Sequence, residues 1–235
     1  MISIIIAAYN EEHRIGQSLL KVKDYLTQQG LDYEIIVVDD GSTDHTKQVV
    51  TDHKIKIANL NLISYPNNKG KGYALRQGVL ASKGEVVLLS DADLSTPIEE
   101  LGKLLPLITS RECEIAIGSR ALRASKIIKK QPWWRQGMGK IFNRFVKLLV
   151  IDGFNDTQCG FKLFSGEIAR NLFKDARVNR FAYDVEILSL ASKRGYKISE
   201  TPVVWINSPE SKVHPVFDAM QMLMDLIKIR LRQIL

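Results

Sequence analysis

Residues 2–8 (Ile-Ser-Ile-Ile-Ile-Ala-Ala) and 34–38 (Glu-Ile-Ile-Val-Val) are short β-branched runs. Between them Ile15, Leu19, Val22 and Leu26 recur at helical spacing, and Gly30 comes next. Unbroken apolar runs mark strands buried on both faces, and the helical spacing marks one buried helix face, so the order is strand, helix, parallel strand. The pattern then repeats. Residues 46–57 read as a helix, 61–64 as a strand, 72–81 as a helix, 85–89 as a strand, 97–108 as a helix and 114–117 as a strand. This predicts an α/β fold: a Rossmann-like, mostly parallel sheet with helices on both faces, whose ligand lies beyond the carboxyl ends of the strands. After about residue 121 the alternation degrades. The remaining chain holds a basic stretch, the run 156–164, a helix over 183–193, a strand around 202–205 and an amphipathic C-terminal helix over 215–235.

The 235 residues, 45% apolar and 25% charged, supply one sizeable core, which predicts a single domain. No run of eighteen apolar residues can span a bilayer, and residues 1–8 have no basic residue before them and meet Asn10, Glu11 and Glu12 at once. An integral membrane protein and a secretory signal are therefore not expected. Cys113 and Cys159 are too few for a disulfide framework or a four-cysteine zinc site. A cytoplasmic protein is expected.

The net charge of +7 is localised. Between Glu114 and Asp152 there is no acidic residue, while nine of the 33 Lys and Arg fall there, leaving 24 against 26 acidic residues elsewhere. The nine are Arg120, Arg123, Lys126, Lys129, Lys130, Arg135, Lys140, Arg144 and Lys147, interleaved with Pro132, Trp133, Trp134, Ile141, Phe142, Phe145 and Leu148. Basic nucleic-acid arms seldom carry such an apolar load, so no nucleic-acid partner is expected. Tryptophan beside Lys and Arg suits the headgroup level of a membrane, where anionic lipid attracts each cation by about 1 kcal/mol. The plainer alternative puts the tryptophans in the core and the cations on a solvated face.

The strand ends carry the chemistry. The first strand ends in Ala-Ala-Tyr-Asn-Glu-Glu at 7–12 without a G-x-G-x-x-G, and Gly70-Lys71-Gly72 lacks the spacing of a P-loop, which argues against a dehydrogenase and a P-loop NTPase. Asp91 and Asp93 flank Ala92 at a strand end, where two carboxylates can converge on a hard divalent ion that also takes substrate phosphates. Alternatively they belong to the start of the next helix, with Ser95 or Thr96 as its cap. Asp39 and Asp40, followed by Gly-Ser-Thr-Asp, either form a capped turn or accept hydrogen bonds from a base or a sugar hydroxyl.

Taken together, Ile-Ile-Ala-Ala-Tyr-Asn-Glu-Glu at 5–12, Val-Val-Asp-Asp-Gly-Ser-Thr-Asp at 37–44, Asn-Lys-Gly-Lys-Gly at 68–72, Asp-Ala-Asp at 91–93 and Gly-Ser-Arg at 118–120 resemble family 2 glycosyltransferases of the GT-A fold. Asp-Thr-Gln-Cys-Gly-Phe-Lys-Leu-Phe at 156–164, Phe-Ala-Tyr-Asp-Val-Glu at 181–186 and Glu-Thr-Pro-Val-Val-Trp at 200–205, with Ser-Lys-Val at 211–213, resemble the dolichyl-phosphate β-glucosyltransferases among them. The resemblance implies a nucleotide-sugar half over 1–120, an acceptor half over 121–213 and an appended helix over 214–235. It implies that Ala8, Tyr9, Glu11, Asp39, Asp40, Lys71, Asp91 and Ala92 bind the nucleotide sugar, UDP-glucose or GDP-mannose. Asp91 and Asp93 would hold Mg2+ or Mn2+. Asp93, Arg120, Asp156 and Gln158 become the catalytic set, and Arg123, Arg135 and Lys162 acceptor-binding residues.

Inverting transfer needs a nucleophile and a stabilised leaving group. A dolichyl or polyprenyl phosphate at a membrane surface is already anionic and needs no base, whereas a hydroxyl acceptor needs one, for which Asp156, Asp184 and Glu186 are the candidates. Each has a plain alternative: Asp156 caps a turn, and Asp184 and Glu186 face solvent. Cys159 and Phe161 read as packing residues. Lys162 reads as either a phosphate ligand or a surface charge. In the last helix Phe217, Met220, Leu223, Met224, Ile227, Leu231 and Ile234 form an apolar face that suits the membrane interface, the sheet or a homodimer seam. The expected location is thus peripheral, on the cytoplasmic face of a membrane.

Overall fold

A computed structural model describes residues 1–129, 132–208 and 215–234, and within these the side chains at 133–136, 140, 215–218 and 233–234 lie outside the description. The first half follows the alternation read from the sequence: β1 (Ile2–Ala8), α1 (Ile15–Gln28), β2 (Tyr33–Asp39), α2 (Thr46–His53), β3 (Leu60–Ser64), α3 (Lys71–Ala81) and β4 (Val86–Asp91). A 3₁₀ turn (Ile98–Glu100) then leads into α4 (Leu101–Thr109) and β5 (Ile115–Ser119). The expected helix over 46–57 is shorter. It ends at His53, and the next residues form a turn that buries Ile57 while Ile55 points to solvent.

The second half contains elements that the sequence pattern leaves unassigned: β6 (Lys126–Lys129), α5 (Trp133–Leu149), β7 (Lys162–Ser165) and α6 (Gly166–Asp175). They are followed by α7 (Tyr183–Lys193), β8 (Ile198–Pro202), β9 (Val204–Ile206) and α8 (Pro215–Ile234). Seven strands form one sheet in the order β3-β2-β1-β4-β7-β5-β8, and β6 and β9 form a small parallel pair. Every pairing in the large sheet is parallel except those of β7, which runs antiparallel between β4 and β5. A strand from beyond residue 120 thereby enters the sheet built by the first 120 residues.

Two apolar layers flank the sheet, as two-sided burial of its strands requires. One joins Ile4, Ile6, Val37 and Leu88 to Leu19 and Leu26 of α1 and Leu104 of α4. The other joins Ile5, Val38 and Leu89 to Leu75 of α3, Leu172 of α6 and Leu188 of α7, and extends to Val146 of α5 and Met222, Leu226 and Ile229 of α8. The last helix therefore packs on the core mainly through Met222, Leu226 and Ile229, beside the face its sequence pattern singles out, of which Leu223 also packs inward. Met220, Met224, Ile227 and Leu231, on the singled-out face, lie exposed. Among the described residues no helix is long and apolar enough to cross a membrane.

Candidate active site

The carboxyl ends of β1, β2, β4 and β5 converge on one rim. Ala8 closes β1, and its carbonyl accepts the Asp40 N–H at 2.8 Å, tying the first two strand ends together. Asp39, buried at the end of β2, accepts the Ser42 N–H at 3.1 Å and the Ser64 hydroxyl at 3.0 Å. Asp40 is the anchor of the next loop: it accepts from the Tyr65 hydroxyl at 2.7 Å, Asn68 Nδ2 at 2.9 Å, and the N–H groups of Lys69 and Gly70 at 2.8 and 2.9 Å. Its lone pairs are spent on the loop that delivers Lys71. Burial and the neighbouring Asp40 push the Tyr65 hydroxyl well above its ordinary pKa.

On the β1 side, Tyr9 and Asn10 are half-buried, and Asn10 adopts a left-handed φ of 55° that lets its side chain accept the Thr43 N–H at 2.8 Å. Glu11 is buried and receives the guanidinium of Arg14, with Nη2 at 2.8 Å. Arg14 also donates to the Ser208 hydroxyl at 2.6 Å and lies 4.0 Å from Asp93 Oδ2. Arg14 is a site residue that the sequence reading misses. Its position three residues after Glu11, on the turn before α1, is the available signal.

Asp91 ends β4, and Ala92 is buried between it and Asp93. Lys71, at the start of α3, donates to Asp91 Oδ1 at 2.5 Å. Burial alone raises a carboxyl pKa, but Lys71, with Lys162 and Arg120 behind it, outweighs burial and holds Asp91 below the ordinary range. Burial likewise works against the Lys71 charge, and Asp91, Asp184 and Asp93 overcome it. Asp93 accepts the Ser95 N–H through Oδ1 at 2.9 Å, and Leu94 follows at a left-handed φ of 47°, a strained bend of the kind found at binding sites.

Arg120 follows β5. Its Nε and Nη2 reach the two oxygens of Asp156 at 2.6 and 2.8 Å, and its own N–H adds a third bond at 2.9 Å. This bidentate pair holds Asp156 down at about 2 against the upward push of burial. The Trp205 ring stacks under the guanidinium with its centroid at 5.6 Å. Glu200 accepts the N–H groups of Asn155 and Asp156, each at 2.9 Å, fixing the segment that carries Asp156. Gln158 is half-buried, its N–H donating to Asp156 Oδ1 at 3.1 Å.

Three alternatives open in the sequence are corrected by the structure. Lys162 is not a surface charge: its side chain is 1% exposed, and Nζ donates to the Cys159 carbonyl and to Asp184 Oδ1 at 2.5 Å. Asp184 and Glu186 do not face solvent. Burial pushes Asp184 above the ordinary carboxylate range in spite of Lys162, and Glu186 accepts the Arg177 and Val178 N–H groups at 2.9 and 2.7 Å and Arg232 Nη1 at 3.2 Å. Arg123 is exposed, and Cys159 and Phe161 are buried. Arg135 lies outside the described side chains, and Lys130 and residues 211–213 outside the described residues.

Lys71, Asp91, Asp93, Arg120 and Asp156 thus place two lysine- or arginine-paired carboxylates and a third, Asp93, along one rim, with Asp39 at the end of the neighbouring strand β2. Among the described residues no three His, Cys, Asp or Glu side chains gather as a ready-made metal set. Comparison with known proteins agrees with the arrangement. Residues 3–173 match the model of glycosyl transferase family 2. Dolichyl-phosphate beta-glucosyltransferases match along the whole of this chain: that of Dictyostelium discoideum is 36% identical, covering 100% of this chain and 75% of the relative. The human one is 35% identical, covering 98% and 75%. Among solved structures, glucosyl-3-phosphoglycerate synthase from Mycobacterium tuberculosis in complex with Mn2+, UDP-glucose and phosphoglyceric acid superposes at a TM-score of 0.72 and 20% identity, covering 99% of this chain and 79% of that one. A mannosyltransferase from Pyrobaculum calidifontis in complex with GDP-Man and Mn2+ superposes at 0.66 and 20%, covering 98% and 64%. Fold, rim and sequence lead to one conclusion: the chain belongs to glycosyl transferase family 2.

Proposed function

We propose that the protein transfers glucose from UDP-glucose to the phosphate of a dolichyl or other polyprenyl carrier, with inversion at the anomeric carbon. The observation that carries the acceptor class is the state of the three candidate bases. Asp156 is held at both oxygens by Arg120, Asp184 is buried against Lys162, and Glu186 is spent on two backbone N–H groups and Arg232. A hydroxyl acceptor must lose a proton in the transition state, and none of these groups is poised to take it. A phosphate acceptor is already anionic and needs placement and screening, which Arg120 supplies with its orientation fixed by Asp156 and Trp205. The names of these relatives support the same acceptor and the β product. A β product from an α-linked donor requires inversion.

The donor set suits a hard divalent ion, Mg2+ or Mn2+. Asp91 and Asp93 keep 30% and 20% of their side chains exposed at the rim, and each commits one oxygen to a protein donor, Lys71 Nζ and the Ser95 N–H respectively. Two carboxylates plus substrate phosphates and water is a usual environment for such an ion. When bound, the ion neutralises the departing diphosphate. The chain's own part is to orient Asp91 through Lys71, to seat the nucleoside against Asp39 and to keep Arg120 aimed at the acceptor.

Lipid binding is read from α5 and α8, which pack on each other. Ile141, Phe145 and Leu148 of α5 and Met220, Met224, Ile227 and Leu231 of α8 are exposed beside Arg144 and Lys147. A stripe of apolar residues edged by cations suits an anionic bilayer surface.

Incubation with labelled UDP-glucose, Mg2+ or Mn2+ and polyprenyl phosphate in detergent tests the proposal. Label is expected in the organic phase as a β-glucosyl lipid, and not with Asp93→Asn. Label reaching only hydroxyl acceptors, or no lipid product from any nucleotide sugar, overturns it.

A further inference from the structure

Lys162 and Gly160 lie behind the rim, and their geometry is specific. A Cβ built on Gly160 falls 2.6 Å from the Asp91 carboxyl carbon and closer still to both oxygens, so the carboxylate lies against the Gly160 backbone with no room for any side chain. On its other side Asp91 meets Lys71 at 2.5 Å. The Gly160 backbone is itself held. Lys162 folds back so that Nζ donates to the Cys159 carbonyl, and Asp184 at 2.5 Å compensates the buried ammonium. The Gly118 N–H donates to the Phe161 carbonyl at 2.8 Å, and the Cys159 thiol sits 3.7 Å from the Thr96 hydroxyl. The same segment begins at Asp156, the partner of Arg120.

We infer that residues 156–162 act as one brace that sets the donor-side carboxylate Asp91 in register with the acceptor-side guanidinium Arg120, with Lys162 and Gly160 as positioning residues. A buried lysine is costly unless fully compensated, and among the described residues the two bonds of this one go to the backbone next to Gly160 and to Asp184, not to the rim. Its hold on the position of Asp91 therefore runs through Gly160. The inference rests on the reading of Asp91 as the donor carboxylate, and it deepens that reading by naming what holds the carboxylate in place.

Two variants probe the brace. Gly160→Ala drives a methyl into the Asp91 carboxylate. Lys162→Met combined with Asp184→Leu removes the anchor on Cys159 and replaces the ion pair with apolar side chains, a change that commonly leaves folding intact. Circular dichroism and thermal melting check the fold. The first readout needs neither nucleotide nor metal: the 15N resonance of the Lys71 ammonium reports its contact with Asp91. In both variants it is expected to move toward its position in Asp91→Asn. The second readout is Mn2+ retention measured by electron paramagnetic resonance with UDP or GDP present, expected to weaken at least tenfold. A Lys71 resonance that stays at its wild-type position in both folded variants overturns the brace. Should the wild type retain no Mn2+ with either nucleotide, the proposed donor chemistry fails, and the Lys71 resonance still decides the brace.

Discussion

At the level of single residues, the pair Arg120–Asp156 has a measurable signature. The carboxyl of Asp156 titrates near 2 in the folded chain against an ordinary value of 3.8, so the protonated form is disfavoured by folding. Its contribution to stability is complete above about pH 4 and is lost as the pH falls toward 2. Asp156→Asn is expected to remove that dependence and to cost about 3 kcal/mol in urea unfolding at neutral pH, the low end for breaking a buried pair, because the guanidinium is 28% exposed. It should also lower turnover by about a hundredfold by releasing Arg120, without removing an acidic limb that a general base would give to the rate profile. A variant whose pH–stability curve superimposes on that of the parent contradicts this account. Asp91, Asp93 and Arg120 can be singled out in the sequence because each follows a run that reads as a strand, and Asp156 only through the family resemblance. The buried position of Lys162 cannot: lysine is so seldom buried that a sequence offers no reason to place one there, and the close approach of Gly160 exists only once β4 and β7 are neighbours.

Among the elements, β1 to β5 and the helices between them are readable because short apolar runs alternate there with helical stretches, whereas α5 and β7 are not. Gly137 and Gly139 lower the helix propensity of α5, and β7 is four residues with a lysine in the lead. The case of α8 is different: it carries two apolar stripes, and periodicity alone cannot say which is inside. Met222, Leu226 and Ile229 face the core. Leu226→Ala should therefore cost about 2–5 kcal/mol in denaturant unfolding. Changing Met220, Met224, Ile227 and Leu231 together to Gln should alter stability little per residue, within about 0.5 kcal/mol, while reducing sedimentation with phosphatidylserine vesicles at least fivefold. Loss of stability with vesicle binding intact reverses the assignment of the two faces.

For the molecule as a whole, charge is segregated: the stretch between Glu114 and Asp152 is purely cationic, and the remainder is close to neutral. Attachment to anionic vesicles should accordingly fall steeply between 50 and 500 mM salt, with screening lengths shrinking from roughly 14 Å to about 4 Å on the inverse-square-root scaling of the Debye length. If the rim holds UDP as proposed, that binding rests on short-range contacts and should change far less over the same range. Equal salt sensitivity of the two measurements argues that one surface serves both.

The antiparallel strand β7 has a consequence for how the polypeptide can be divided. Leu163 and Phe164, buried beside Leu88 and Val87, come from well beyond residue 120, so a fragment stopped there bares the flank of β4 and strips both apolar layers of a shared wall. Expressed alone, such a fragment is expected to aggregate, and hydrogen exchange in the intact chain should show β4, β7 and β5 opening together. What looks along the sequence like a first module with a later addition is, mechanically, a single laminate, one of whose inner plies comes from the later stretch.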